Sequence, residues 1–107
     1  MSTLTLRELE VPLRALRLLS AEFAGLPAPN VAVSTIYPKM LELAFHDDLG
    51  AFEAWRAALR IEPHEVGYGE QGGGTTRVLE VETDYAGARL RLIGFGTVPA
   101  RGSGGAP

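Results

Sequence analysis

Three groups of residues have the types that chemistry uses. His46-Asp47-Asp48 sets an imidazole beside two carboxylates, and His64-Glu65 follows some way along. A divalent metal needs three or four converging ligands, and adjacent positions at a strand end diverge. The intervening helix of some fourteen residues is about 20 Å long and keeps the two histidines apart. A cap and two surface histidines are expected, and no metal. Gly67-Tyr-Gly-Glu-Gln-Gly72 is formally G-x-G-x-x-G. That pattern holds a dinucleotide only when a helix follows it. Thr75-Thr-Arg-Val-Leu-Glu-Val reads as strand, so a flexible hairpin is expected. The third group is Glu42, Glu80 and Glu82 with Arg77, Arg89 and Arg91. Acid–base work needs a carboxylate whose pKa is moved by burial or a like charge. Cross-strand Glu–Arg pairs on a solvated sheet face are expected instead.

The elements that would position these groups follow from periodicity. Leu9, Leu13, Leu16, Leu19 and Phe23 share an arc of about 80° on a helical wheel, which predicts a first helix. We place it from about Leu6 to Ala24, kinked near Pro12, with Thr5 and Glu8 as a capping box and Gly25 as its left-handed stop. Val31 to Tyr37 and Met40 to His46 alternate as a hairpin. Asp48 to Ile61 is a second helix that buries Phe52, Trp55 and Leu59, with Asp47 and Asp48 as cap candidates. Strands are then expected from Val66, over Thr75–Thr83 and over Ala88–Phe95, with a turn at Asp84–Gly87. This pattern predicts an α+β two-layer sandwich, two helices on one face of a five-stranded antiparallel sheet, in the order αββαβββ. Residues 1–98 form the single domain, and 99–107 have nothing to bury and are expected to be a disordered tail.

Composition narrows the function. At 107 residues a chain buries roughly 65% of its unfolded surface, enough for one core. The absence of cysteine excludes disulfides, thiolate metal sites and a thiol nucleophile. No apolar run approaches the roughly 20 residues that span a bilayer, and no signal-like start is seen, so a cytoplasmic protein with no membrane role is expected. A net charge of −3 offers no general attraction to phosphate. Single-stranded nucleic acid is the alternative partner, with Tyr37, Tyr68, Tyr85 and Phe95 as stacking candidates and Arg7, Arg14 and Arg17 as phosphate contacts. It is disfavoured because glutamates share the aromatic strands.

Protein association fits more features. Ile93 and Phe95 take the face opposite Leu90 and Leu92, and Val11, Leu18 and Ile36 fall off the inward stripes. The expected interface is Tyr37, Ile93 and Phe95 as apolar contacts with Arg89 and Arg91 as polar rim, receiving a protein partner or a second copy through the sheet face or edge. The reading is non-enzymatic, with no cofactor and no catalytic residue.

Leu26-Pro-Ala-Pro29, Phe52-Glu-Ala-Trp-Arg-Ala-Ala-Leu59 and Tyr85-Ala-Gly-Ala-Arg-Leu-Arg-Leu92 resemble stretches of small uncharacterised actinobacterial proteins, often plasmid- or phage-borne, with no assigned activity. The resemblance covers most of the chain. It implies a bacterial cytoplasmic setting and a mobile-element context, and it carries over no functional residue.

Overall fold

Leu41, Leu43 and Phe45 alternate with Glu42, Ala44 and His46, and this one strand, β2 (Met40–His46), decides how the sheet is built. The computed structural model describes residues 3–97; the expected boundary near residue 98 and the expected tail lie outside them. A 3-10 turn, Leu6–Leu9, leads into α1 (Glu10–Glu22). The first hairpin is β1 (Asn30–Val33) and β2, followed by α2 (Leu49–Ala58), a second 3-10 turn at Pro63–Glu65, then β3 (Gly67–Gln71), β4 (Thr76–Tyr85) and β5 (Ala88–Thr97). The two 3-10 turns interrupt the simple order that periodicity suggests.

The sheet is ordered β1-β2-β5-β4-β3, and it is mixed. β2 and β5 run parallel at its centre, Met40 opposite Arg89 and His46 opposite Phe95, which corrects the expectation of a wholly antiparallel sheet. The cause is α2. A helix laid back across the sheet returns the chain to the end where β2 began, so the next strand runs with β2, as a crossover requires. β4 and β5 then fold back into the gap beside β2.

Both helices pack on the face that carries Leu41, Leu43, Phe45, Leu90, Leu92 and Val81, and Ala15, Leu19, Phe52 and Trp55 complete one core. Gly94 and Gly96 clear the space for α2. A Cβ on Gly94 would lie 3.0 Å from Leu49 Cδ2 and 3.1 Å from Phe52 Cδ2. Asp48 caps α2 by accepting the Ala51 N–H at 3.0 Å. Asp47 has φ 57° and accepts instead from the Thr97 hydroxyl at 3.2 Å.

Three helix boundaries differ from expectation. The Thr5 N–H bonds Glu8 Oε1 at 2.9 Å, but this bond closes the 3-10 turn, not α1. Pro12 therefore sits in the first turn of α1, where its missing N–H costs nothing, and no kink is needed. Gly25 is not the left-handed stop: α1 ends on Phe23, whose N–H bonds the Leu19 carbonyl. α2 stops at Ala58, three residues short of Ile61. The Arg60 N–H bonds Ala57 O at 3.0 Å and the Ile61 N–H bonds Arg56 O at 3.1 Å, with Arg60 left-handed at φ 59°. That is a Schellman ending with arginine where glycine is the usual choice.

Candidate interaction surface

Strand alternation puts Met40, Glu42, Ala44 and His46 on the outer face of the sheet with Arg89, Arg91, Ile93 and Phe95 beside them. Two arginines strap that face. Arg91 reaches Glu42 at 2.7 Å and Glu80 at 2.6 Å, and Arg89 reaches Glu82 at 2.9 Å and Asp84 at 3.1 Å. Burial works against the Arg91 charge, but the hydrogen bonds and charges of Glu80 and Glu42 outweigh it and raise the Arg91 pKa. The hydrogen bonds that Arg89 donates to Glu82 and Asp84 raise its pKa. Arg77 does not join them. It shares the parity of Leu79 and Val81 on the helix side, and its guanidinium lies 6.0 Å from the Tyr68 ring centre.

The five expected interface residues do not form one apolar patch. Tyr37 is 61% exposed, in the turn between β1 and β2. Phe95 is half-buried at the other end of β2, its ring stacked on His46 at 4.9 Å. Met40 and His46 mark those two ends, six residues and so about 20 Å apart. Ile93 is on the outer face but only 7% exposed, between Ala44 and Glu80 on the neighbouring strands, so it offers a partner almost no area. Arg89 and Arg91 already have carboxylate partners.

The edge of the sheet is different. Arg89 N–H bonds Lys39 O and Asp47 N–H bonds Phe95 O, which sets the phase of the β2–β5 ladder. In that phase Leu41, Leu43 and Phe45 turn their backbone groups toward β5, and Glu42 and Ala44 turn theirs toward β1. Ala32 and Asn30, opposite Glu42 and Ala44, are therefore the bonded residues of β1. Val31 and Val33 point their N–H and C=O outward, away from the sheet. The strand, Asn-Val-Ala-Val, carries no charge and no proline to guard that edge.

Hollows flank this edge on both faces. On the helix side, Leu16, Ser20 and Phe23 of α1, Leu26 of the linker, and Val31 wall an apolar groove of about 240 Å³ with Leu43 and Trp55 at its floor. The Trp55 indole N–H donates to Pro27 O at 2.7 Å and so fixes the linker that forms one wall. On the outer side, Ala32, Ser34, Tyr37, Met40, Glu42 and Arg91 line a second hollow, also about 240 Å³. Tyr37 and Arg91 thus belong to the surroundings of the β1 edge.

No family model, curated protein or solved structure matches this chain. The geometry alone must carry the reading.

Among the described residues, no group of three or more His, Asp or Glu is placed to hold a metal ion. Gly67 and Gly69 lie in β3, and Gly72 to Gly74 form a positive-φ turn into β4, so the glycine pattern is a strand and its hairpin. The aromatic candidates for base stacking are dispersed. Tyr68 and Tyr85 have helix-side parity, Tyr37 stands in a turn, and the Tyr85 hydroxyl donates to Glu22 at 2.7 Å. No described helix is long and apolar enough to cross a membrane. Reasoning from the sequence missed Val31, Val33, Leu16 and Ser20 as a group. The signal available was the unguarded Asn-Val-Ala-Val strand, but its place at an edge beside α1 depends on the strand order.

Proposed function

We propose that this chain is a non-enzymatic protein-interaction module that works through the open β1 edge of its sheet. The observation that carries the reading is the pair of hollows on opposite faces of one unguarded strand. An extended chain sends alternate side chains to opposite faces, so it can use both hollows while bonding the outward groups of Val31 and Val33. The outer sheet face supports the role less well, because its arginines are paired and Ile93 is covered. The cytoplasmic, bacterial mobile-element setting stays part of the proposal, on the composition and the resemblance described above.

The test is Val31→Pro, which removes one outward N–H and leaves the β1–β2 ladder intact. Native mass spectra over a range of concentrations read self-association, and cross-linked capture from nuclease-treated host extract reads other partners. Association present with the native chain and lost with Val31→Pro is the expected result. Association that ignores the substitution, or none in either assay, refutes the edge reading.

A further inference from the structure

We infer that the chain pairs weakly with a second copy of itself through its other free edge, β3, on a two-fold axis at Gly69, so that two five-stranded sheets join into one. This surface is separate from the β1 edge and does not depend on it.

The outward groups of β3 follow from the β4–β5 hairpin. Tyr85 and Ala88 flank a two-residue turn and form a hydrogen-bonded pair, so Thr83, Val81, Leu79 and Arg77 also turn their backbone groups toward β5. Thr76, Val78 and Glu80 turn theirs the other way, where they meet Gln71, Gly69 and Gly67. Tyr68 and Glu70 therefore hold their N–H and C=O outward. The strand has no proline and no lysine to guard them.

Few registers bring outward groups against outward groups. An axis through Glu70 sets two carboxylates directly opposite each other, which is destabilising. An axis through Tyr68 leaves Glu70 opposite Val66, which lies outside the strand. An axis through Gly69 sets Tyr68 of each copy opposite Glu70 of the other, each pair exchanging both of its backbone bonds.

The side chains fit that register on both faces. On the helix side Tyr68, 58% exposed in the single chain, comes to lie between Leu79 of its own sheet and Glu70 of the second copy. Arg77 stands opposite Glu70 in the β3–β4 ladder, and the Tyr68 hydroxyl donates to Glu70 at 2.6 Å, so this carboxylate enters the contact already accompanied. On the outer side Gly67 and Gly69 carry no side chains and leave a hollow of about 280 Å³, walled by Val78, Glu80 and Gln71. The register sets Gln71 of the second copy opposite Gly67, so each copy's one long outer side chain on β3 enters the other's hollow. Both helices make their main contacts with β2 and β5, which lie inside β4, and leave this edge open. Two five-residue strands fall below the roughly 1,000 Å² of a stable interface, so the dimer dissociates on dilution.

The chain has no cysteine, so a single introduced thiol reports the register. Gly69→Cys puts one thiol of each copy beside the axis, at a non-hydrogen-bonded pair whose Cα atoms are about 4.5 Å apart, within disulfide range. A Cβ at Gly69 meets nothing within 4 Å in the single chain, so the variant should fold as the native chain does. Tyr68→Cys and Glu70→Cys set their thiol-bearing Cα atoms about 8 Å apart, beyond that range. In a glutathione redox buffer, non-reducing gels should show Gly69→Cys dimers forming about tenfold faster than the other two, because paired thiols have a high effective concentration. Adding Glu70→Pro, which removes an outward N–H and spares the β3–β4 ladder, should bring Gly69→Cys down to the control rate. Equal rates at the three positions, or a Gly69→Cys rate that ignores Glu70→Pro, overturns the inference. Pairing through β3 survives Val31→Pro, so the β1 comparison is read in the Glu70→Pro chain, where association that remains belongs to β1. Fast Gly69→Cys cross-linking without Val31-dependent association keeps β3 pairing and removes the β1 reading; the converse removes β3 pairing and keeps the β1 reading.

Discussion

Substituting Gly94→Ala tests the account of why α2 lies so close to the sheet. Alanine ordinarily favours a strand over glycine by about 0.5–1 kcal/mol, because it loses less backbone entropy on folding. Here the new methyl would meet Leu49 Cδ2 at 3.0 Å, Phe52 Cδ2 at 3.1 Å and Phe52 Cβ at 3.2 Å. Leu49 can swing aside, but Phe52 is fully buried, its ring edge-on to Phe45 with centroids 6.3 Å apart. Overpacking of this kind costs about 1–3 kcal/mol. The clash wins, for a net loss of about 1–2 kcal/mol, or roughly 5–10 °C in Tm for a domain of this size. Urea unfolding followed by the fluorescence of Trp55 measures it. Phe52→Leu in the same chain should recover about 1 kcal/mol of that loss as a coupling energy. A Gly94→Ala variant as stable as the native chain, additive with Phe52→Leu, refutes the close approach.

Two left-handed residues that lack glycine should gain from substitution: Arg60→Gly at the end of α2 and Ala86→Asn in the turn before Gly87, where φ is 59° and 51°, each stabilise by about 0.5–1 kcal/mol in the same denaturation assay. Tyr85 should titrate late. Burial, and then its hydrogen bond to Glu22, push it from the ordinary value of 10.0 to about 12. A phenol held protonated in the folded state gives stability that is complete below pH 10.0 and is lost as pH rises to about 12. Phenolate absorbance checks the midpoint, and Glu22→Gln should lower it. Arg91→Met should cost about 1 kcal/mol at low salt, because Glu42 and Glu80 lose a shared cation but can turn toward water. The deficit should shrink in high salt, as paired urea titrations will show.

Much of the layering was legible because it is written in local periods. The alternation through Met40–His46 identifies β2 to the residue, and Asp48 before Leu49 identifies a cap. What was not legible depends on neighbours distant in the chain. Glu42 and Arg91 are 49 positions apart, and only the crossover by α2 makes their strands parallel neighbours. The same lack of long-range information made Ile93 and Phe95 look like a bare patch, although one is covered and the other stacks on His46. β1 was drawn too long, because Ser34 to Tyr37 continue an apolar alternation that bends away after Val33. The Ser34 hydroxyl accepts the Ile36 N–H at 3.0 Å, a local bond that competes with the ladder. The groove beside β1 has no signature of its own, since it is the space left between two elements.

The central place of β5 bears on how the molecule is made. It is the last described strand to leave the ribosome, yet it is the only one that joins β2 to β4. Until it emerges, the nascent chain holds a β1–β2 hairpin with Leu41, Leu43 and Phe45 lacking a neighbour on that side, and the pairing that closes the sheet spans half the chain. Such distant pairings are slow to form. The hairpin must therefore wait with apolar surface uncovered, which leaves the nascent chain prone to aggregation until β5 pairs with it. Premature termination anywhere before Ala88 should yield material for proteolysis, with no smaller working module left behind.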